Sequence, residues 1–71
     1  MKILKGKLYT WTIGAPLTVL ALTGEYMDTD PDSNTYREYV FKGRVVQDVS
    51  SVLDTGSVDV FIAECWEDGW L

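Results

Sequence analysis

The sequence predicts an all-β fold, a small antiparallel meander of four or five strands. Apolar, β-branched and aromatic residues alternate with polar ones along most of the chain, which is the period of a strand. Clusters of glycine, proline, asparagine and aspartate separate these runs at short intervals. Several short strands joined by short connections are typical of an antiparallel sheet.

The first two strands are expected over residues 2–13 and 17–26, with Gly14, Ala15 and Pro16 as the turn between them. Alternation along the first strand gives two faces, one with Tyr9, Trp11 and Ile13 and the other with Leu4, Leu8, Thr10 and Thr12. The second strand is apolar on both faces between Val19 and Leu22. A strand that is apolar on both sides is expected at the centre of the sheet.

The third strand is expected over residues 35–46, with Gly43 marking a bulge or a sharp bend. Residues 47–55 are ambiguous, since Val49, Val52 and Leu53 suit one helical turn near residues 48–54 as well as a short extra strand. The last clear strand is expected over residues 57–66. Residues 67–69 then form a final turn.

A sheet of this size must curl to bury both of its apolar faces. We therefore expect residues 1–71 to form one domain, a partly open barrel of the SH3-like type. Cys65 falls in the apolar alternation of the last strand and is expected to be buried.

Charge and composition exclude several functions. Eleven acidic and six basic residues give a net charge of −5, which argues against direct binding of nucleic acid, because phosphates require clustered cations. The chain contains no histidine, which is the most common zinc ligand and the usual general base near neutral pH, and its single cysteine cannot form an internal disulfide. Its longest apolar run is too short for a membrane span. A cytoplasmic, non-enzymatic protein without a cofactor is the expectation.

The acidic segment 25–35, EYMDTDPDSNT, resembles the first half of a calcium-binding loop. Its candidate ligands alternate along the chain, as they do at positions 1, 3, 5 and 7 of such a loop: Asp28, Asp30, Asp32 and Asn34. Position 6 should be glycine and is Ser33, and position 12 should be glutamate and is Tyr39. A solvated connection is favoured, and calcium binding is the alternative.

Aromatic side chains beside acidic ones form the second candidate surface. Its residues are Trp66, Trp70, Tyr36, Tyr39, Glu67 and Asp68. Exposed rings flanked by carboxylates suit a protein partner, and the rings could otherwise cover the open ends of the barrel. We therefore expect a small acidic binding module that docks on a partner protein or on a second copy of itself. It would act as a homodimer in one version, and as an inhibitor that mimics nucleic acid in another. The alternative is a β domain that binds calcium or a small ligand through its acidic loop.

Overall fold

The computed structural model describes residues 2–11 and 13–69, and it confirms the all-β fold. Its strands are β1 Leu8–Trp11, β2 Leu17–Ala21, β3 Tyr26–Met27, β4 Tyr39–Asp48, β5 Val58–Ile62 and β6 Trp66–Asp68. The described part of the chain contains no helix, and thus none that could cross a membrane.

The strands form one antiparallel sheet that curls into a half-barrel, as expected for a small SH3-like barrel. Across the sheet the order is β5, β4, β2, β1 and β6, and every pairing is antiparallel. The strand β4 pairs with β5 on one side and with both β2 and the short β3 on the other. Val40 shows this arrangement, because Ile62 of β5 and Tyr26 of β3 pair with it from opposite sides. Since β5 pairs only with β4 and β6 only with β1, a seam stays open between β5 and β6.

An aromatic cluster fills the concave face of the half-barrel. The ring of Phe41 lies at its centre, with ring centroids at 6.2 Å from Tyr9, 5.8 Å from Phe61 and 5.4 Å from Trp66. The aliphatic side chains of Val19 and Val45 pack into the same core. Aromatic rings bury a large area each, so a few of them suffice for a core in a chain of this length.

The first strand is a third as long as predicted, since it covers only Leu8–Trp11 of residues 2–13. Residues 2–7 are not part of the sheet, because Gly6 turns the chain with a φ of 85°. Backbone hydrogen bonds of Gly6 and Lys7 with Ala21, at 2.8 and 2.9 Å, hold the end of this segment. Side chains hold its start, since Glu25 Oε1 accepts the N–H of Ile3 at 2.8 Å and Tyr9 Oη accepts that of Leu4 at 2.7 Å. These bonds place the buried Ile3 side chain in the core without strand pairing.

The bulge lies near, but not at, the predicted glycine. Gly43 is regularly paired with Ala21 and Asp59, whereas the register between β2 and β4 shifts between Thr18 and Val19. Gly43 is required for packing instead. A Cβ atom there would lie 3.2 Å from side-chain atoms of both Phe61 and Val19, which is tighter than ordinary contact.

Residues 49–57 form neither the predicted helical turn nor a strand, but a loop that leads into β5. The carboxylate of Asp48 organises this loop. Its Oδ1 accepts the N–H of Ser50 at 3.0 Å and the hydroxyl of Ser50 at 2.6 Å, and its Oδ2 accepts the N–H of Leu53 at 2.9 Å. An aspartate that binds nearby backbone N–H groups favours a turn over a helix interior.

The Asp48 loop should make folding stability dependent on acid. Hydrogen bonds from Ser50 and then Leu53 lower the pKa of Asp48 below its ordinary 3.8. A lowered pKa in the folded state stabilises the fold above the ordinary value and loses that effect as the pH falls through the lowered one. We expect Asp48→Ala to melt at a lower temperature than the parent at neutral pH, and the gap between the two melting temperatures should narrow as the pH falls below 3.8.

Thermal unfolding of both proteins across this pH range measures the gap. Asp54→Ala is the matched control, because it removes an exposed carboxylate from the same loop. The carboxylate of Asp54 accepts no hydrogen bond from a described residue. A gap for Asp48→Ala that stays constant with pH would contradict this role of the carboxylate.

Candidate docking surface

The edge strand β5 exposes a row of aliphatic side chains. Alternation turns Phe61 towards the core and leaves Val58, Val60 and Ile62 on the outer face, with 50%, 45% and 43% of their surfaces exposed. We call these three residues the β5 strip. Contiguous apolar surface on a small protein commonly marks an interaction site.

The backbone of the β5 strip faces away from the rest of the sheet. Tyr39 O accepts the N–H of Ala63 and Ser57 O accepts that of Val45, so the odd-numbered residues of this segment point towards β4. In an antiparallel ladder the residues between them point to the other side. The N–H and C=O groups of Val58, Val60 and Ile62 therefore line the free edge.

Two side chains cover part of this free edge. Asp59 Oδ1 accepts the N–H of Val60 at 2.8 Å, and the indole N–H of Trp66 donates to the carbonyl of Ile62 at 2.6 Å. A charged residue on an edge strand is a common device against unwanted strand pairing. The edge is therefore protected at its middle and at one end.

An apolar cavity opens beside the strip, in the seam between β5 and β6. Its volume is about 360 Å³, within the range of ligand and side-chain pockets. The lining is Trp11, Leu17, Thr35, Val60, Phe61, Ile62 and Trp66. Both indole N–H groups already donate to carbonyls, that of Trp11 to Ile13 and that of Trp66 to Ile62. The cavity thus offers ring faces and methyl groups, which suit an apolar side chain.

Two basic side chains lie beside the strip, on the neighbouring strand β4. Lys42 is the cross-strand neighbour of Val60 and Arg44 that of Val58, and both are exposed. Among the described residues the only ion pair joins Lys7 and Asp68. Lys42 and Arg44 are thus available for a carboxylate of a partner.

Trp66 is not the exposed anchor that the sequence suggests. Only 4% of its surface is exposed, and its ring meets those of Trp11, Phe41 and Phe61 edge to face. The prediction of a final turn over 67–69 is also wrong, since Trp66–Asp68 form β6 and return to β1. That pairing turns the Trp66 ring into the core. Trp70 lies outside the described residues.

The other predicted anchors are exposed but scattered. Tyr36 lies under the guanidinium of Arg37 at 5.1 Å, and Glu67 and Asp68 project from β6. Only Tyr39 reaches the β5 strip. It is 54% exposed and borders, together with Ile62, a second hollow of about 190 Å³.

The acidic loop binds its own backbone. Asp28 Oδ1 accepts the N–H of Asp30 at 3.0 Å, and Asp30 Oδ1 accepts that of Asp32 at 3.0 Å. Hydrogen bonds from Ser33 and Thr35 lower the pKa of Asp28. These are successive Asx turns, a local role typical of loop aspartates.

The candidate calcium ligands are not gathered around a common point. Asp32 and Asn34 are exposed, and within residues 2–11 and 13–69 no group of three or more acidic or cysteine side chains is placed to hold a metal ion. Calcium binding by this loop would need a rearrangement of its turns.

The β5 strip was within reach of sequence analysis. The alternation places its three residues on one face, and the acid Asp59 inside the run is a signal of an edge strand. Cys65, which was expected to be buried, is exposed, because the chain bends at residues 63–65 and Cys65 adopts a left-handed φ of 67°. The strand therefore ends at Ile62, four residues before its predicted end.

No family model, no curated protein and no solved structure matches the chain.

Proposed function

We propose that the protein is a non-enzymatic binding module that acts through protein–protein contact at β5. The single observation that carries this proposal is the exposure of Val58, Val60 and Ile62 on an edge strand beside an apolar cavity. Interfaces are built around apolar and aromatic groups that a partner can desolvate. The chain contains no histidine, which also favours binding over acid–base catalysis.

The strip and the cavity would act together. An extended segment laid along the free edge of β5 would contact the strip with one row of its side chains. A side chain of the other row would reach the cavity lined by Trp11 and Phe61. Lys42 and Arg44 would favour a partner with carboxylates near its apolar residues.

Val60→Lys tests the proposal, because it places a charge at the centre of the strip. Burial of an unpaired charge is costly, so a partner retained from host lysate by the immobilised protein should be lost or weakened by about tenfold or more. Val52→Lys is the matched control, since Val52 is 79% exposed and lies in the loop before β5.

Quantitative mass spectrometry of the retained proteins compares the two variants with the parent. Equal retention by all three would contradict a role of the β5 strip in binding.

A further inference from the structure

We propose that the partner of β5 is β5 of a second copy of this chain, paired antiparallel with Val60 facing Val60 across a twofold axis. This inference rests on the proposed function and names its partner. On the free edge of β5, the outward backbone groups belong to Val58, Val60 and Ile62. With Val60 at the centre, Val58 of each copy lies opposite Ile62 of the other. This is the register that pairs all three residues.

The register also joins the two strips. Val58, Val60 and Ile62 of both copies would lie side by side on the outer face of one continuous sheet. Each copy exposes roughly half of these side chains on its own. Lateral contact between the two strips removes part of this exposed apolar surface from water, which favours association.

Charge complementarity supports a second copy as the occupant. Arg44 is exposed, forms no ion pair with a described residue, and donates from Nη1 to the carbonyl of Gly56 at 3.2 Å. The proposed register pairs Ile62 of the second copy with Val58, so Glu64 of that copy, just beyond the end of its β5, would lie at the end of the paired strands nearest Gly56 and that guanidinium. Glu64 is exposed and likewise has no ion pair among the described residues. The twofold axis creates the Arg44–Glu64 pair twice.

Asp59 controls the association. Its carboxylate occupies the N–H of Val60, which must donate to the second copy in the paired state. The carbonyl of Ile62 can accept a second hydrogen bond beside that of Trp66, since a carbonyl oxygen has two lone pairs. Asp59→Thr removes the carboxylate that binds the N–H of Val60 and places a good strand former in β5. We expect the substitution to tighten dimerisation by about tenfold, because it frees this N–H group in each copy.

Engineered disulfides test the register directly. In a Cys65→Ser background, which removes the exposed native thiol, Val60→Cys should form a disulfide-linked dimer on mild oxidation. Residues of a hydrogen-bonded antiparallel pair have Cα atoms about 5.5 Å apart, within the span of a disulfide. Val58→Cys alone should not cross-link, since its two copies lie four residues out of register, roughly 13 Å apart. A mixture of Val58→Cys and Ile62→Cys should form the mixed dimer.

Val52→Cys measures how fast a disulfide-linked dimer forms by random collision. The Val60→Cys dimer should form faster than the Val52→Cys dimer by about tenfold or more. Equal rates for the two variants, or a Val58→Cys dimer that forms as fast as the Val60→Cys dimer, would overturn it.

Sedimentation equilibrium from micromolar to millimolar concentration tests the association without a cross-link. The parent should dimerise, Asp59→Thr should do so at lower concentration, and Val60→Lys should remain a monomer. Arg44→Glu and Glu64→Arg should each weaken the dimer, and the double variant should restore it. A monomeric parent and a monomeric Asp59→Thr would overturn the second copy as partner. Loss of a lysate partner in Val60→Lys would then still support the proposed function, so the two failures are distinguishable.

Discussion

Trp66→Ala is expected to destabilise the protein by about 3–5 kcal/mol, the usual loss for truncation of a buried large aromatic residue. The indole is 4% exposed and meets three aromatic rings with centroids 5.4–5.5 Å away. A chain of 71 residues has a total stability of roughly 4–11 kcal/mol. The loss would therefore leave a large fraction of the variant unfolded. Urea denaturation followed by circular dichroism measures it.

Trp66→Phe separates the ring from its hydrogen bond. It keeps an aromatic side chain in the cluster but loses the indole N–H that donates to Ile62 at 2.6 Å. We expect a smaller loss, about 1–3 kcal/mol, from the unmade hydrogen bond and the reduced volume. An alanine variant that unfolds at the urea concentration of the parent would show that Trp66 is not part of the core.

The alternation of apolar and polar residues predicts which strands form, but not where β6 runs. It places Val19 and Ala21 on the same face of β2, and Phe41 and Val45 on the same face of β4. The structure buries all four. Alternation of this kind is a local property that each strand carries by itself. The return of Trp66–Asp68 to β1 is a long-range pairing, and its three residues are too few to show a period.

The candidate docking surface depends on that same long-range pairing. The flanking acids indicate an exposed anchor at Trp66, with a cover for the end of the barrel as the alternative, and β6 turns its side chain into the barrel. The β5 strip has the alternation of one sheet face and an acid typical of an edge strand, but its own residues do not show where the half-barrel ends. It is exposed because the half-barrel stops at β5, and strand order decides where a sheet stops.

Gly69→Ala is expected to detach β6 from β1. A Cβ atom at Gly69 would overlap the carbonyl carbon of Leu8 and would lie 2.6 Å from the backbone nitrogen of Tyr9. Backbone atoms cannot turn aside as a side chain can, so the strand must move and lose the bond from the Gly69 N–H to Leu8 O. Overpacking of this kind costs about 1–3 kcal/mol, and the displacement of Trp66 on the same strand adds to it. Urea denaturation measures the loss.

Gly24→Ala is the matched control for the loss of a glycine. Its Cβ atom would meet only the carbonyl oxygen of Ile3, at 3.5 Å, which is ordinary contact. It should therefore change stability by less than about 1 kcal/mol. Amide hydrogen exchange locates the damage: Gly69→Ala should lose protection first at Thr10, which pairs with Glu67, and retain it at Val19 between β1 and β4. Equal loss of protection at both sites would contradict a local detachment and would make β6 part of one cooperative unit with the central strands.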